Sequence, residues 1–134
     1  MTCDCSTPKG DLVLKTIAMP ADTNSNGDMF GGWIMSQMDI AGGILAKEYT
    51  GGRIVTVAVS NIIFLGPIKA GDIFCCYGTV TKTGNTSLTI KLEVWVTPVV
   101  RKTAGDCPST MVTEAEFTYV AIDENGNKRK IKAS

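Results

Sequence analysis

The chain has 134 residues, 13 basic against 13 acidic, and no histidine. That length suits one domain with one core, and the balanced charge gives no basic patch for a nucleic acid or a membrane surface. Without imidazole there is no Ser-His-Asp triad, no Cys-His pair and no histidine base, so any chemistry runs on carboxylates, amides, hydroxyls or thiols.

The ten N-terminal residues MTCDCSTPKG are polar and lack the apolar core of a secretory signal, which with the lack of a membrane-length apolar run points to the cytoplasm. They read as a loose end, as does NKRKIKAS at 127–134. LVLKTIAM (12–19) reads as a first strand closed by Pro20, and 22–28 as a polar loop. A helix is expected from about Gly31 to Lys47, stopped by glycines near Tyr49–Gly51. RIVTVAVSNIIFLGPI (53–68) is β-branched and extended. DIFCCYGTVTK (72–82) and TSLTIKLEVWVT (86–97) form a hairpin across Thr83–Gly84–Asn85, and TMVTEAEFTYVAID (110–123) is the last strand. In the second hairpin strand Leu88, Ile90, Leu92, Val94 and Val96 share one face, with Ser87, Thr89, Lys91 and Glu93 on the other. One helix followed by an antiparallel meander makes an α+β domain in which the helix covers the sheet. No repeat or linker divides residues 1–134.

The cysteines (Cys3, Cys5, Cys75, Cys76 and Cys107) show neither a CxxC pair nor zinc spacing and read as reduced structural thiols. No metal or cofactor is expected. The helix is apolar around its whole wheel, which argues for burial on all sides, yet it carries Asp39. On the wheel Asp39 neighbours Met35, Ser36, Gly42 and Gly43. Two mid-helix glycines cost roughly 1 kcal/mol each relative to alanine, so something packs closely there, another backbone or a ligand. A carboxylate among apolar residues is expensive without partners, and that makes Asp39 the first candidate for chemistry.

Gly31 and Gly32 leave the N–H groups at the helix start open, a place for an oxyanion. Eight residues separate Gly31 from Asp39, about 12 Å along a helix axis, too far for both to act on one carbonyl. A second copy across a two-fold axis brings its own Asp39 to that tip, so a dimer with two shared sites is expected.

AMPADTNSNGDMFGGWIMSQMDIAGGILAKE (18–48) resembles the bacterial hotdog-fold acyl-coenzyme A thioester hydrolases of broad acyl specificity. RIVTVAV, GDIFCCYG, LEVWV and FTYVAID continue the likeness through the chain. The resemblance implies an antiparallel sheet wrapped around one long central helix, dimers with one continuous sheet, and trimers of such dimers. It implies an acyl-coenzyme A substrate and a coenzyme A product. It places the catalytic carboxylate at Asp39, the amide that polarises the thioester at Gly31–Gly32, and an amide side chain near the reacting carbonyl or water at Asn24. Asn24 is equally suited to an Asx turn. Met29, Phe30, Trp33 and Phe64 are either acyl-tunnel lining or core.

Where many relatives carry an acid after TVAV this chain has Ser60 and Asn61, and Gly66 stands where Lys or Arg is usual. Ser60 and Asn61 therefore count as candidate substrate-binding positions. Arg53, Lys69, Lys82, Arg101 and Lys102 are available for the phosphates of coenzyme A. Two rivals exist: a hotdog domain that binds acyl-coenzyme A without cleaving it, against which Asp39 argues, and the dehydratase branch of the fold, which relies on a histidine.

Overall fold

The computed structural model describes residues 7–98 and 108–131. Among the described residues the fold has five strands, β1 (Asp11–Ile17), β2 (Ile54–Phe64), β3 (Ile73–Thr83), β4 (Ser87–Thr97) and β5 (Thr110–Ala121), one α-helix, α1 (Gly31–Thr50), and a short 3-10 turn at Pro20–Asp22 between β1 and α1. The strands form one antiparallel sheet in the order β1-β3-β4-β5-β2. The helix lies on one face and packs against all five strands, the α+β arrangement expected of a hotdog fold.

Helix α1 runs three residues past Lys47 because Gly51 closes it in the left-handed conformation, φ 73°, with its N–H donated to the Lys47 carbonyl. Strand β2 is shorter than the 53–68 expected. Leu65 leaves the ladder, donating its N–H to Val112, ahead of Gly66 and Pro67. The hairpin between β3 and β4 closes where the turn residues placed it, with Gly84 N–H on the Ser87 carbonyl.

The core lies between the helix and the concave face of the sheet. Ile34, Met38, Ala41, Gly42 and Ala46 form the buried stripe of α1 and meet Phe74, Cys76, Leu88, Ile90, Leu92, Val94, Phe117 and Tyr119. Every residue of the predicted apolar face of β4 is buried. Two residues on its other face are buried as well: Glu93 accepts hydrogen bonds from Trp95 Nε1 at 2.9 Å and from the Lys9 amide at 3.2 Å. The indole and the incoming N-terminal segment cover that carboxylate, which alternation alone assigned to solvent.

The helix is not enclosed on all sides, contrary to the reading of its wheel. One sheet covers one flank, and Ser36, Ile40, Ile44 and Lys47 form an exposed stripe on the other. The C-terminal segment also departs from expectation. Residues 127–131 are held rather than loose: Arg129 donates Nε to Ile122 O, Nη1 to Thr50 O and Nη2 to Arg53 O, and Ile131 N–H reaches Asn85 O. A guanidinium at the helix C-terminus meets the unpaired carbonyls there, which is why the tail folds back. Residues 132–134 lie outside the described part, as do 1–6 and Cys3, Cys5 and Cys107.

Cys75 and Cys76 point to opposite faces, Cys76 into the core. Burial, and then the neighbouring Cys75, push the Cys76 thiol up to about 12. A thiol that keeps its proton to about pH 12 is no nucleophile at neutral pH. The folded state holds this proton more tightly than the unfolded chain, which releases it near 9. The stabilisation is therefore complete below pH 9 and is lost as pH rises toward 12, with a slope of roughly 1.4 kcal/mol per pH unit for one proton. Denaturant titrations at stepped pH should show this decline, and Cys76→Val should make it shallower; an unchanged slope would contradict the assignment.

Candidate active site

Helix α1 starts without a cap. Phe30 occupies the N-cap position with extended backbone (ψ 144°), no side chain bonds the first turn, and no acid lies within it. The first helical bond made across this end runs from Ile34 N–H to Phe30 O at 3.2 Å. Gly31 and Gly32 are exposed, and nothing lies within 4 Å of where a Gly32 Cβ would stand. Among the described residues the leading N–H groups therefore face open space, the electropositive end of a 20-residue helix.

Two turns further along, Asp39 sits at the boundary between the buried stripe and the exposed one. Its Oδ1 accepts a hydrogen bond from Thr56 Oγ1 at 2.7 Å and another from Tyr119 Oη at 3.1 Å. The same phenol lies 3.2 Å from the Asp39 main-chain carbonyl. Oδ2 has no partner among the described residues. Asp39 also borders a depression of about 340 Å³, lined besides by Ile40, Gly43, Ile44, Lys47, Ile54, Thr56 and Tyr119. Burial first, and the Asp39 charge second, push the Tyr119 phenol far above its ordinary range, so it remains a donor.

The mid-helix glycines now separate. A Cβ on Gly42 would collide with the Tyr119 hydroxyl, so this glycine makes room for a phenol rather than for another backbone or a ligand. Gly43 has no such neighbour; a Cβ there would meet only Ile54 Cδ1 at 3.9 Å.

Asn24 adopts the Asx geometry. Its Oδ1 accepts from the amides of Asn26 at 2.9 Å and Asp28 at 3.1 Å, while its own N–H donates to Asp28 O. The turn fixes the amide plane and leaves Nδ2 without a partner among the described residues. Lys69 pairs with Asp28 at 2.9 Å and anchors the same loop to the segment after β2.

The remaining candidates divide. Phe30 and Phe64 are half exposed at the helix start, with the Phe64 ring 3.5 Å from a Gly31 Cβ position. Met29 is buried in the core, and Trp33 packs edge-on against Phe74 with ring centroids 5.3 Å apart. In the single chain those two are packing residues. Ser60 pairs with Glu116 across the sheet, and Asn61 Nδ2 donates to Glu116 Oε2 at 3.1 Å. Glu116 alternates with core Phe117, so Ser60 and Asn61 lie on the face away from the helix and from Asp39. Asn61 sits in the left-handed region, φ 54°, where the β2–β5 register slips. Gly66 borders a cleft of about 600 Å³ with Leu65, Pro67, Lys69 and Met111, beyond the Phe64 end of β2. Arg53 Nη1 donates to Glu124 O, and Arg101 and Lys102 lie outside the described residues.

The model of the thioesterase superfamily matches residues 26–101, from the Asn24 loop's end through α1 and the three strands after it. The chain belongs to this superfamily. Acyl-CoA thioester hydrolase YciA of Salmonella typhimurium is 53% identical over 131 residues, covering 98% of this chain and 97% of the relative. The hexameric thioesterase y2039 of Yersinia pestis superposes with a TM-score of 0.87 at 53% identity, over 96% of this chain and all of that one. An acyl-CoA hydrolase of Staphylococcus aureus, solved with butyryl coenzyme A and coenzyme A, has a TM-score of 0.79 at 27% identity, over 90% of this chain and 70% of that one. A hexameric hotdog-fold thioesterase of Campylobacter jejuni superposes with a TM-score of 0.84 at 41% identity, over 92% of this chain and 91% of that one, which matches the sheet and helix seen here.

Alanine variants of the staphylococcal enzyme have been solved at an asparagine, an aspartate and a threonine, separated by 15 and 17 residues. Asn24, Asp39 and Thr56 stand at the same two intervals in this superfamily member. Thr56 and Tyr119 were missed in the sequence. Thr56 reads there as one more β-branched strand residue. For Tyr119 a signal existed: it alternates with Phe117 on the inward face, and a buried phenol needs a hydrogen-bond partner.

Proposed function

We propose that this superfamily member hydrolyses acyl-coenzyme A thioesters to the free carboxylic acid and coenzyme A, in sites shared between the two subunits of a cytoplasmic dimer. The observation that carries the reading is the pairing of a carboxylate fixed through one oxygen with an uncapped glycine helix start on the same helix. Within one chain these parts lie apart. The Gly31 tip is beside Phe64, at the end of β2, while Asp39 is beside Thr56, near its beginning.

Strand β2 is one of the two edges of the sheet, β1 being the other, and exposes Val55, Val57 and Ile63; the exposed Ile40 and Ile44 of the helix border its Ile54 and Thr56. An apolar edge of this length is a pairing surface. Antiparallel pairing of two β2 strands about a two-fold axis near Ser60 sets the Phe64 end of one copy across from the Thr56 end of the other. The partner's Asp39 then approaches the Gly31–Gly32 tip, and one ten-stranded sheet results. The hexamers named for the relatives extend this to a trimer of dimers.

In such a site the N–H groups of Gly31 and Gly32 receive the thioester carbonyl oxygen, and the amide of Asn24 stands at the same end of the helix. Asp39 takes a proton from water as hydroxide adds to the carbonyl carbon. The tetrahedral oxyanion collapses and expels coenzyme A as thiolate, which then takes up the proton. Direct attack by Asp39 to give an anhydride, followed by hydrolysis, uses the same parts. Phe30 and Phe64 flank the helix tip and are placed to meet the acyl chain. The chemistry needs no metal or cofactor.

The test is release of free thiol from a panel of acyl-coenzyme A esters of increasing chain length, read with a thiol reagent. Turnover of at least one ester at enzyme-like rates is expected; binding of the esters without thiol release would mean a carrier or sensor instead.

A further inference from the structure

We propose that Tyr119 is a positioning residue for Asp39: with Thr56 it occupies Oδ1, so that Oδ2 alone accepts the proton or forms the bond in the reaction. This rests on the hydrolase reading above. Two hydroxyls converge on Oδ1, at 2.7 Å and 3.1 Å, and among the described residues none reaches Oδ2. Tyr119 has a single proton and two acceptors in range, Oδ1 and the Asp39 carbonyl oxygen. The ionised oxygen is the stronger acceptor, so the proton goes to Oδ1. With both donors on Oδ1, a proton arriving on the carboxyl group finds its vacant lone pairs on Oδ2. Water therefore loses its proton to Oδ2: the water O–H bond breaks, the Oδ2–H bond forms, and the electron pair left on oxygen attacks the carbonyl carbon. In the anhydride route the same Oδ2 forms the new bond to carbon.

Tyr119 is fully buried and touches Asp39 from beneath the helix, on the side away from open space. Its ring is held by Phe117, stacked at 6.3 Å and 20°, and by the absence of a side chain on Gly42. A phenol locked in this way limits rotation of the carboxylate about its last torsion, which is the freedom a base or nucleophile must lose to act in one direction.

Tyr119→Phe keeps the ring and its packing and removes only the hydroxyl. In the full-length protein we expect kcat to fall about 10- to 100-fold with KM changed less than about twofold, since the geometry of the base changes and the binding surface does not. The acid limb of kcat/KM should move to higher pH, because the anion loses a donor. Site-specific 3-fluorotyrosine at position 119, which preserves the ring and strengthens the donor, should move that limb to lower pH; it serves as the deciding measurement should the phenylalanine variant fail to fold. Unchanged kcat and an unmoved limb in the folded variants would overturn the inference. Asp39→Asn, measured alongside, separates the two layers: an inactive Asp39→Asn with a normal Tyr119→Phe removes only the positioning role, whereas an active Asp39→Asn removes the hydrolase reading itself.

Discussion

Asp39→Asn should lower turnover by about 10³-fold or more while the protein stays folded. The substitution is nearly isosteric, and the amide oxygen can still accept from Thr56 and Tyr119, which keeps the hydrogen bonds under the helix. What it loses is the basic second oxygen: an amide nitrogen at that position neither takes a proton from water nor attacks a thioester. General-base participation contributes typically 10²- to 10⁴-fold, and loss of a covalent nucleophile costs at least as much. Thiol-release kinetics on the purified variant, beside a thermal melt and its elution volume, checks this. Near-normal turnover by a correctly assembled variant would refute the assignment of Asp39.

Gly42→Ala should damage both stability and activity, against the usual trend for a helix interior. Replacing glycine by alanine within a helix ordinarily gains about 1 kcal/mol. Here the new methyl has no space, because the Tyr119 hydroxyl occupies it. Tyr119 cannot retreat easily, being fully buried and stacked on Phe117. Overpacking of this kind costs typically 1–3 kcal/mol, which offsets the helical gain and exceeds it at the upper end. If the ring moves instead, Asp39 loses a donor. The expected result is a melting temperature lower by several degrees, with turnover reduced at least about tenfold. A variant both more stable and fully active would show that the Gly42–Tyr119 contact has no consequence.

Legibility in the sequence followed how local each feature is. The helix, its glycine stop and the alternation of β4 depend on residues within a few positions of one another, and each appears where periodicity placed it. Asp39 was legible because a charge is conspicuous in an apolar helix, and Gly31–Gly32 because open amides need small residues. The partners of Asp39 were not, since Thr56 and Tyr119 are 17 and 80 positions away and meet it only through the pairing of β2 with β5. The same pairing explains Gly42, whose wheel position pointed to a helix or a ligand and whose neighbour is a strand side chain. Glu93 and Arg129 misled for the opposite reason: alternation put Glu93 on the polar face and Arg129 fell in a segment read as a loose end, and the fold supplied a Trp95 indole and a helix C-terminus to receive them. Ser60 and Asn61 stand out in the sequence as departures, but the register slip in β2 turns them to the face away from Asp39.

Subunit complementation tests the shared site most directly. Proline at the first helical positions deletes a single N–H with little cost to the helix, and Phe30, already extended, suits a following proline. Gly31→Pro or Gly32→Pro, whichever removes the oxyanion donor, should lower turnover about 10²- to 10³-fold. That variant and Asp39→Asn, each nearly inactive alone, are unfolded together, refolded and assayed as mixed dimers. In a mixed dimer one site combines the intact tip of one subunit with the intact Asp39 of the other, so random pairing restores about a quarter of the unmodified activity. Mixed dimers that form yet stay as inactive as their parents would contradict the sharing of carboxylate and helix tip between subunits.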